Sequence, residues 1–304
     1  MQINSQSSSF ILTADIGGSH ITVGICDLAT YTILQGSTIR VEVDSKGPAT
    51  DILTSWETAF QAALNKNDSL SFGGLSVAMP GPFDYEKGIS YIKGLNKYEA
   101  LYGMDIKKHL AGLLKIDPLL VRFRNDAEST IAGEVLTGAG RDYRRVMGVT
   151  LGTGFGSAFS ETRITRDINL GSDRYKETIA DDYLSTRWFL KRYHELTGVE
   201  LTDGVKELAQ IAVESQIARD VFNEFAVNLC DFLSDPIKPL EPEVLIICGN
   251  IAKASRFYLP YLERELHSVI IKLAQLDENA PLIGAAALFD HMERPISPDS
   301  VNQL

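Results

Sequence analysis

Apolar and polar residues alternate over positions 10–16 and again over 21–26, the period-two pattern of half-buried strands. The β-rich stretch 32–43 continues the run, so the chain is expected to open as a strand meander whose first turn is Gly17-Gly18. The period then changes: Ile52, Leu53, Trp56, Phe60, Ala63 and Leu64 recur at spacings of three and four, which sets them on one face of a helix. A short apolar strand at 75–79 is broken by Pro80-Gly81-Pro82, and Ile106, Leu110, Leu113 and Leu114 mark another helix. Residues 119–123 form a short strand running into Asn125-Asp126, and 127–136 reads as a helix with Asp126 near its N-cap. The second half repeats this grammar, with a strand at 146–151, a turn at Gly152-Thr153-Gly154 and a return strand at 155–159. Helices follow over 183–196, 205–213 and 218–233, then a buried-type strand at 244–248 ending in Gly249-Asn250, and a last helix over 282–292. No repeat of roughly 20 to 50 residues is present, which excludes solenoids and propellers. A strand, glycine turn, strand unit does occur twice. The expected architecture is therefore α/β, with two similar domains facing a central cleft, 1–124 and 125–281, and residues 282–304 packing back on the first.

At 304 residues the chain has the length of two domains of about 150 residues, and such a chain buries about three quarters of its unfolded surface, so neither a disulfide nor a metal is needed to hold it. Lys plus Arg number 29 against 40 for Asp plus Glu, a net charge of -11 that sets nucleic acid and membrane surfaces aside as partners. A small anion is not excluded, because backbone amides and a metal ion build a local pocket whatever the total charge. Cys26, Cys230 and Cys248 stand singly in apolar stretches, as small hydrophobes of a reducing compartment do, and no Cys/His group has zinc-site spacing. Residues 1–9 are polar and uncharged, and no window reaches the ~20 apolar residues of a membrane span, so the expected setting is cytoplasmic. The tail after Glu293, with Pro295 and Pro298, is expected to fray.

Two segments carry the chemistry of anions. In Asp15-Ile16-Gly17-Gly18-Ser19-His20, two glycines let backbone amides approach an anion without obstruction by Cβ. Asp15 stands at the strand end, where a carboxylate can hold Mg2+ through water, and Ser19 can donate to a phosphate oxygen. An ordinary hairpin turn, with Gly supplying positive φ, also explains this segment taken alone. Thr150-Leu151-Gly152-Thr153-Gly154-Phe155-Gly156 has the same logic, without the Lys-Ser/Thr of a P-loop and without the strand-to-helix setting of a dinucleotide fingerprint. Two such hairpins on two domains can clamp one polyphosphate, and the pair is far less expected by chance than either turn. Asn125-Asp126 closes a buried-type strand at a helix start, where Asp126 is a cap, a general base that orients and deprotonates an attacking hydroxyl, or both. Gly249-Asn250 and Gly284 can leave room for an adenine ring, and capping or close packing explains them equally well.

With these residues in place the chain resembles the ROK family of sugar kinases and sugar-responsive repressors, glucokinase-like members included, within the actin-like (ribonuclease H-like) ATPase fold. The resemblance rests on an ordered set covering most of the chain: Asp15-Ile-Gly-Gly-Ser19, Ala78-Met-Pro-Gly-Pro82, Asn125-Asp-Ala127, Gly133-Glu134, Gly138-Ala-Gly140, Leu151-Gly-Thr-Gly-Phe-Gly156 and Gly249-Asn-Ile251. It implies that Asp15, Gly17, Gly18, Ser19, Gly152, Thr153, Gly154, Gly249 and Asn250 bind ATP, with Asp15 holding Mg2+, and that Asp126 is the catalytic base. For the sugar it implies Pro80, Gly81, Asn96, Asn125 and Asp126. Between Ser157 and Asp182 there is no Cys and no His, so the zinc loop usual in the family is expected to be absent. Ala180-Asp181-Asp182-Tyr183-Leu184-Ser185 looks like the family's Leu-Glu-Asp-Tyr-x-Ser, which puts Asp181, one methylene shorter, where a sugar-contacting Glu lies; Glu177 is another carboxylate in the altered stretch. Ser19-His20 replaces the common Thr-Lys and keeps the hydroxyl.

The reading that follows is an ATP- and Mg2+-dependent kinase acting on a hydroxyl of a hexose or related sugar, with a small-molecule sugar as partner. The resemblance also implies a homodimer. The alternative is a sugar-sensing or degenerate ATP-binding protein of the same family. With Asp15 only 14 residues from the start, no helix-turn-helix precedes the first motif of this sequence, and retention of Asp126 speaks for turnover, since a pure binding module has no need of a base.

Overall fold

The computed structural model describes residues 9–290. The polar start, the end of the helix expected to reach Met292 and the tail after Glu293 lie outside the described residues. By their contacts the residues group into two compact units, one running to Thr137 and resuming at Glu278, the other Gly138–Asp277.

The first unit opens with β1 (Phe10–Ile16), β2 (His20–Asp27), β3 (Thr32–Ile33) and β4 (Ile39–Glu42). Helix α1 (Ala49–Lys66) follows, then β5 (Leu75–Met79), the short pair β6 (Phe83–Asp84) and β7 (Ile89–Ser90), α2 (Ile106–Leu114), β8 (Val121–Asn125) and α3 (Asp126–Thr137). The main sheet runs β3-β2-β1-β5-β8, with β4 also paired to β2; β1 and β2 are antiparallel, whereas β1, β5 and β8 are mutually parallel. The hairpin strands are buried except at Phe10, Asp15, His20 and Asp27, and β5 is buried at all five positions because parallel strands are covered on both faces. Helix α1 buries Ile52, Trp56, Ala59, Phe60 and Ala63 against the sheet, while Leu53 and Leu64 sit at the rim of that stripe.

The second unit repeats the plan. It contains β9 (Arg145–Leu151), β10 (Phe155–Glu161), β11 (Ile164–Asp167), the short pair β12 (Arg174–Tyr175) and β13 (Thr178–Ile179), α4 (Thr186–Thr197), α5 (Gly204–Ile211) and α6 (Gln216–Leu240). After these come β14 (Val244–Cys248), a 3-10 stretch over Asn250–Phe257, α7 (Leu259–Glu265) and β15 (Ile270–Leu273). Its sheet runs β11-β10-β9-β14-β15, an antiparallel meander continued by parallel strands, as in the first unit. Its core is aromatic: Phe189 lies 4.6 Å from Phe225 and 5.1 Å from Phe222, centroid to centroid, with Tyr258 packed edge-on to Phe225. Helix α6 continues to Leu240 through Pro236 and Pro239, beyond the expected end at 233, and the buried Ile237 anchors the added turns.

The chain then returns to the first unit as α8 (Asn279–Ala286), followed by a 3-10 turn at Ala287–Phe289. Its placement moves the division between units away from the expected 124/125 boundary. Helix α3 packs on α8 more extensively than on any strand, so α3 stays with the first unit and the division falls after Thr137. Thr13 of β1 donates to the Leu282 carbonyl at 2.7 Å, and Arg124 of β8 donates to the Gly284 carbonyl at 2.8 Å, fixing α8 across the sheet.

Candidate active site

The turn between β1 and β2 is built with its carbonyls tied and its amides open. The buried Tyr98 hydroxyl donates to the Gly17 carbonyl at 2.5 Å, the Ser45 hydroxyl to the Gly18 carbonyl, and the Val43 amide to the Ser19 carbonyl at 2.9 Å. The Gly17 amide donates to the His20 carbonyl at 2.9 Å, and the amides of Gly18 and Ser19 have no protein acceptor among the described residues. A Cβ at Gly18 would meet nothing within 4 Å, and φ there is outside the left-handed region. The hairpin explanation, in which glycine supplies a positive φ, is therefore not what this turn requires.

The turn between β9 and β10 follows the same rule with different partners. The Gly152 carbonyl accepts from the Thr186 amide at 2.8 Å, the Thr153 carbonyl from Arg187 Nη1 at 3.2 Å, and the Gly154 carbonyl from the Gly152 amide at 3.0 Å. The amides of Thr153 and Gly154 have no protein acceptor among the described residues, and a Cβ at Gly152 would again meet nothing within 4 Å. Two adjacent amides on exposed residues without a protein acceptor are donors available to an anionic oxygen.

Asp15 lies on β1 in register with Thr22 of β2 and Ala78 of β5. Burial, then the neighbouring Asp126 carboxylate and then Glu278 push the Asp15 carboxyl up to about 7, against the opposing pull of Arg40. Arg40 is itself paired with Glu278 at 2.6 Å. The His20 ring is held below its ordinary range by burial and by Arg40, and it lies 3.2 Å from the Ser19 hydroxyl.

Asp126 is the first residue of α3, and its carboxylate accepts from the adjacent Ala127 amide at 2.9 Å. The capping bond to the third helical residue is made instead by Asn125, whose side-chain oxygen accepts from the Glu128 amide at 3.1 Å. The Asn125 amide group donates to the Tyr85 hydroxyl at 3.2 Å, which in turn donates to the Met79 carbonyl at 3.1 Å. Gly81 belongs beside this group, since a Cβ there would lie 3.1 Å from the Tyr85 hydroxyl, and Pro80 is buried at the end of β5. The structure thus gathers Asn125, Asp126, Pro80 and Gly81 near the ends of β5 and β8. Asn96 stands outside this hydrogen-bond network, exposed and left-handed at φ 54, with its amide donating to Glu99 at 2.8 Å.

In the second unit the Asp181 carboxylate has a partner at both oxygens. It accepts from the Phe155 amide at 2.5 Å and pairs with Arg187. Glu177 accepts from the Tyr183 hydroxyl, and this bond holds its carboxyl below the usual range. Gly249 has φ +89, and a Cβ there would stand 2.3 Å from the Leu151 carbonyl, so close backbone approach explains this glycine; Asn250 next to it is exposed. Close packing also explains Gly284, whose Cβ would lie 1.8 Å from the Ser129 carbonyl oxygen. Sequence reasoning missed Tyr85, Ser45, Tyr98, Thr186 and Arg187, which act on backbone carbonyls or on other side chains and belong to no short motif. The one available signal was Tyr98, the end of the Gly94-Leu95-Asn96-Lys97-Tyr98 segment.

The paired sheets, each an antiparallel meander extended by parallel strands, are those of an actin-like ATPase fold, and solved structures agree. The ROK hexokinase from Thermus thermophilus superposes with a TM-score of 0.75 at 18% identity, covering 91% of this chain and 96% of that one. The ROK family glucokinase from Streptomyces griseus, solved in complex with glucose and AMPPNP, gives 0.76 at 20% identity, covering 92% and 98%. Among curated proteins, the N-acetyl-D-glucosamine kinase of Histophilus somni is 25% identical over 312 residues, 90% of this chain and 97% of that protein. The ROK family model matches residues 11–164, and the chain belongs to the ROK family.

Proposed function

We propose that this ROK-family carbohydrate kinase transfers the terminal phosphoryl group of ATP to a hydroxyl of a hexose or related sugar, N-acetylhexosamines included. The observation that carries the reading is the shared construction of the two glycine turns, with three carbonyls tied in each and two amides without a protein acceptor among the described residues. Gly17, Gly18 and Ser19, and likewise Gly152, Thr153 and Gly154, are assigned to nucleotide phosphates, and Gly249 and Asn250 to the nucleotide. Asp126 accepts the proton of the sugar hydroxyl as its oxygen forms the new bond to phosphorus and ADP departs. Asn125, Pro80, Gly81 and Asn96 are assigned to the sugar. Relatives named as N-acetyl-D-glucosamine kinases, matched over most of this chain, support an N-acetylated sugar and speak against a non-catalytic sensor.

A divalent ion fits this site. Burial first, and then the charges of Asp126 and Glu278, raise Asp15, and a cation beside it offsets these penalties on the charged form. Among the described residues no group of three or more His, Cys, Asp and Glu can hold a metal alone, and Mg2+ is commonly bound by one carboxylate together with nucleotide phosphates and water. When bound, Mg2+ neutralises charge developing on the phosphates. A cytoplasmic setting, a homodimer and the lack of a structural zinc belong to the same reading and stand on composition and the family resemblance. No helix among the described residues is long and apolar enough to cross a membrane.

The test is ADP release with Mg-ATP against a panel of hexoses, N-acetylhexosamines and pentoses, with Asp126→Asn in parallel. Turnover with one sugar, lost in the variant, is the expected result. Nucleotide binding with no sugar-dependent turnover would count against it.

A further inference from the structure

Asp181 occupies the position where the family resemblance expects a sugar-contacting carboxylate, yet its surroundings tie it to the β9–β10 turn. One carboxylate oxygen takes the Phe155 amide, and the other takes the Arg187 guanidinium. Arg187 in turn donates to the Thr153 carbonyl at 3.2 Å. The next bond along joins the same two segments, because the Thr186 amide donates to the Gly152 carbonyl at 2.8 Å. Ser185, at the N-cap position of α4, makes no capping bond with its side chain, and the turn's own carbonyl takes the first amide of that helix. The fit is close, since a Cβ on Gly154 would stand 3.1 Å from the Asp181 carboxylate oxygen. The carboxylate therefore seats against a glycine backbone.

We infer that Asp181 and Arg187 are positioning residues of the Gly152–Gly154 turn, orienting its amides toward nucleotide phosphate, and that Asp181 is not a sugar contact. The inference rests on the proposed reading of this turn as phosphate-binding. Its physical basis is that a turn between two strands has many accessible conformations, and outward-facing amides bind an anion well only when the opposite carbonyls are fixed. Arg187 fixes the middle carbonyl of the turn. Its planar fork reaches Thr153 and Asp181 together, which a single ammonium group does less well.

The experiment measures Mg-ADP affinity by calorimetry without sugar, and KM for ATP and for the preferred sugar separately, in wild type, Asp181→Ala, Arg187→Ala and Arg187→Lys. The Arg187 side chain is 57% exposed, so its variants keep the fold. We expect Asp181→Ala and Arg187→Ala each to weaken Mg-ADP binding and raise KM for ATP about tenfold, the scale of a lost charge-assisted hydrogen bond, with sugar KM changed less than about twofold. Arg187→Lys should fall between wild type and Arg187→Ala. A purely structural role would lower stability without separating the two KM values. A raised sugar KM with unchanged nucleotide affinity in Asp181→Ala would overturn the inference, as would unchanged nucleotide affinity in every variant. A wild-type protein that binds no adenine nucleotide would overturn the phosphate-turn reading and this inference with it.

Discussion

Gly284 of α8 lies against Gly133 of α3 with no room for a methyl group on either: a Cβ on Gly284 would stand 2.8 Å from the Gly133 amide nitrogen. One on Gly133 would stand 2.1 Å from the Ala280 carbonyl oxygen. Backbone cannot yield as a flexible side chain does, so Gly284→Ala and Gly133→Ala should each destabilise the protein by about 3 kcal/mol. Gly112 of α2, where a Cβ meets nothing within 4 Å, is the control: Gly112→Ala should stabilise by roughly 0.5 to 1 kcal/mol. Urea unfolding of the three variants checks both signs, and equal midpoints for all three would contradict the packing described.

The Asn125 cap leaves Asp126 free for chemistry while holding the start of α3 in place. Asp126→Asn keeps an oxygen that can accept from Ala127, so the fold should survive. Turnover should fall by roughly 10²- to 10⁴-fold with nucleotide affinity near wild type, as for a lost general base. Steady-state kinetics beside ADP titration decide the matter, and unchanged turnover would remove Asp126 from the mechanism.

Alanine at Gly18 or Gly152 has space and an ordinary backbone conformation in the protein itself. Gly18→Ala and Gly152→Ala should therefore leave stability within about 0.5 kcal/mol of wild type while weakening Mg-ATP, because on the proposed reading the new methyl stands where a phosphate approaches. Thermal unfolding and nucleotide titration of the same samples test this. Unchanged affinity in both would turn these segments back into plain hairpins.

Asp15 gives the ligand-free protein a pH dependence of unusual sign for a carboxylate. Its folded value is raised from 3.8 to about 7, so folding penalises the charged form. The penalty is absent below the unfolded value, grows as pH rises between the two values and is complete above about 7. Stability should fall across that window, and Asp15→Asn should be the more stable protein at about pH 8 and nearer wild type at about pH 5. Asp126→Asn should reduce the effect by removing the larger of the two charges that raise Asp15. Denaturant unfolding at both pH values, without Mg2+ or nucleotide, measures it.

Much of the fold was visible in the apolar pattern because its main strands are mostly buried. The β1–β2 hairpin, β5, β9, β10 and β14 all fall where the pattern placed them. The pairs β6–β7 and β12–β13 were not visible, since strands of two residues have no period to read, and β15 is a mostly exposed strand defined by its pairing with β14. The expected α6 stops short of Leu240: Pro236 and Pro239 disfavour helix locally, and local propensity cannot see that Ile237 is buried. At the site, the glycine turns and Asn125-Asp126 stood out as short motifs. What ties the turn carbonyls comes from Tyr98, 81 positions from Gly17, and from Arg187, 34 positions from Thr153, separations over which spacing carries no signal. The resemblance placed Asp181 by position, whereas its engagement with Phe155 and Arg187 is a matter of side-chain direction.

The first unit is interrupted in sequence, leaving at Thr137 and resuming at Glu278, while the second is continuous. During synthesis every residue of Gly138–Asp277 has been translated before α8 exists, although β1 was made long before. Until then Thr13 lacks its Leu282 acceptor, 269 positions away, and the sheet face covered by α8 stays bare. The later half of the chain is thus the first able to complete its fold on the ribosome, and the earlier half is the one exposed to misassembly while it waits.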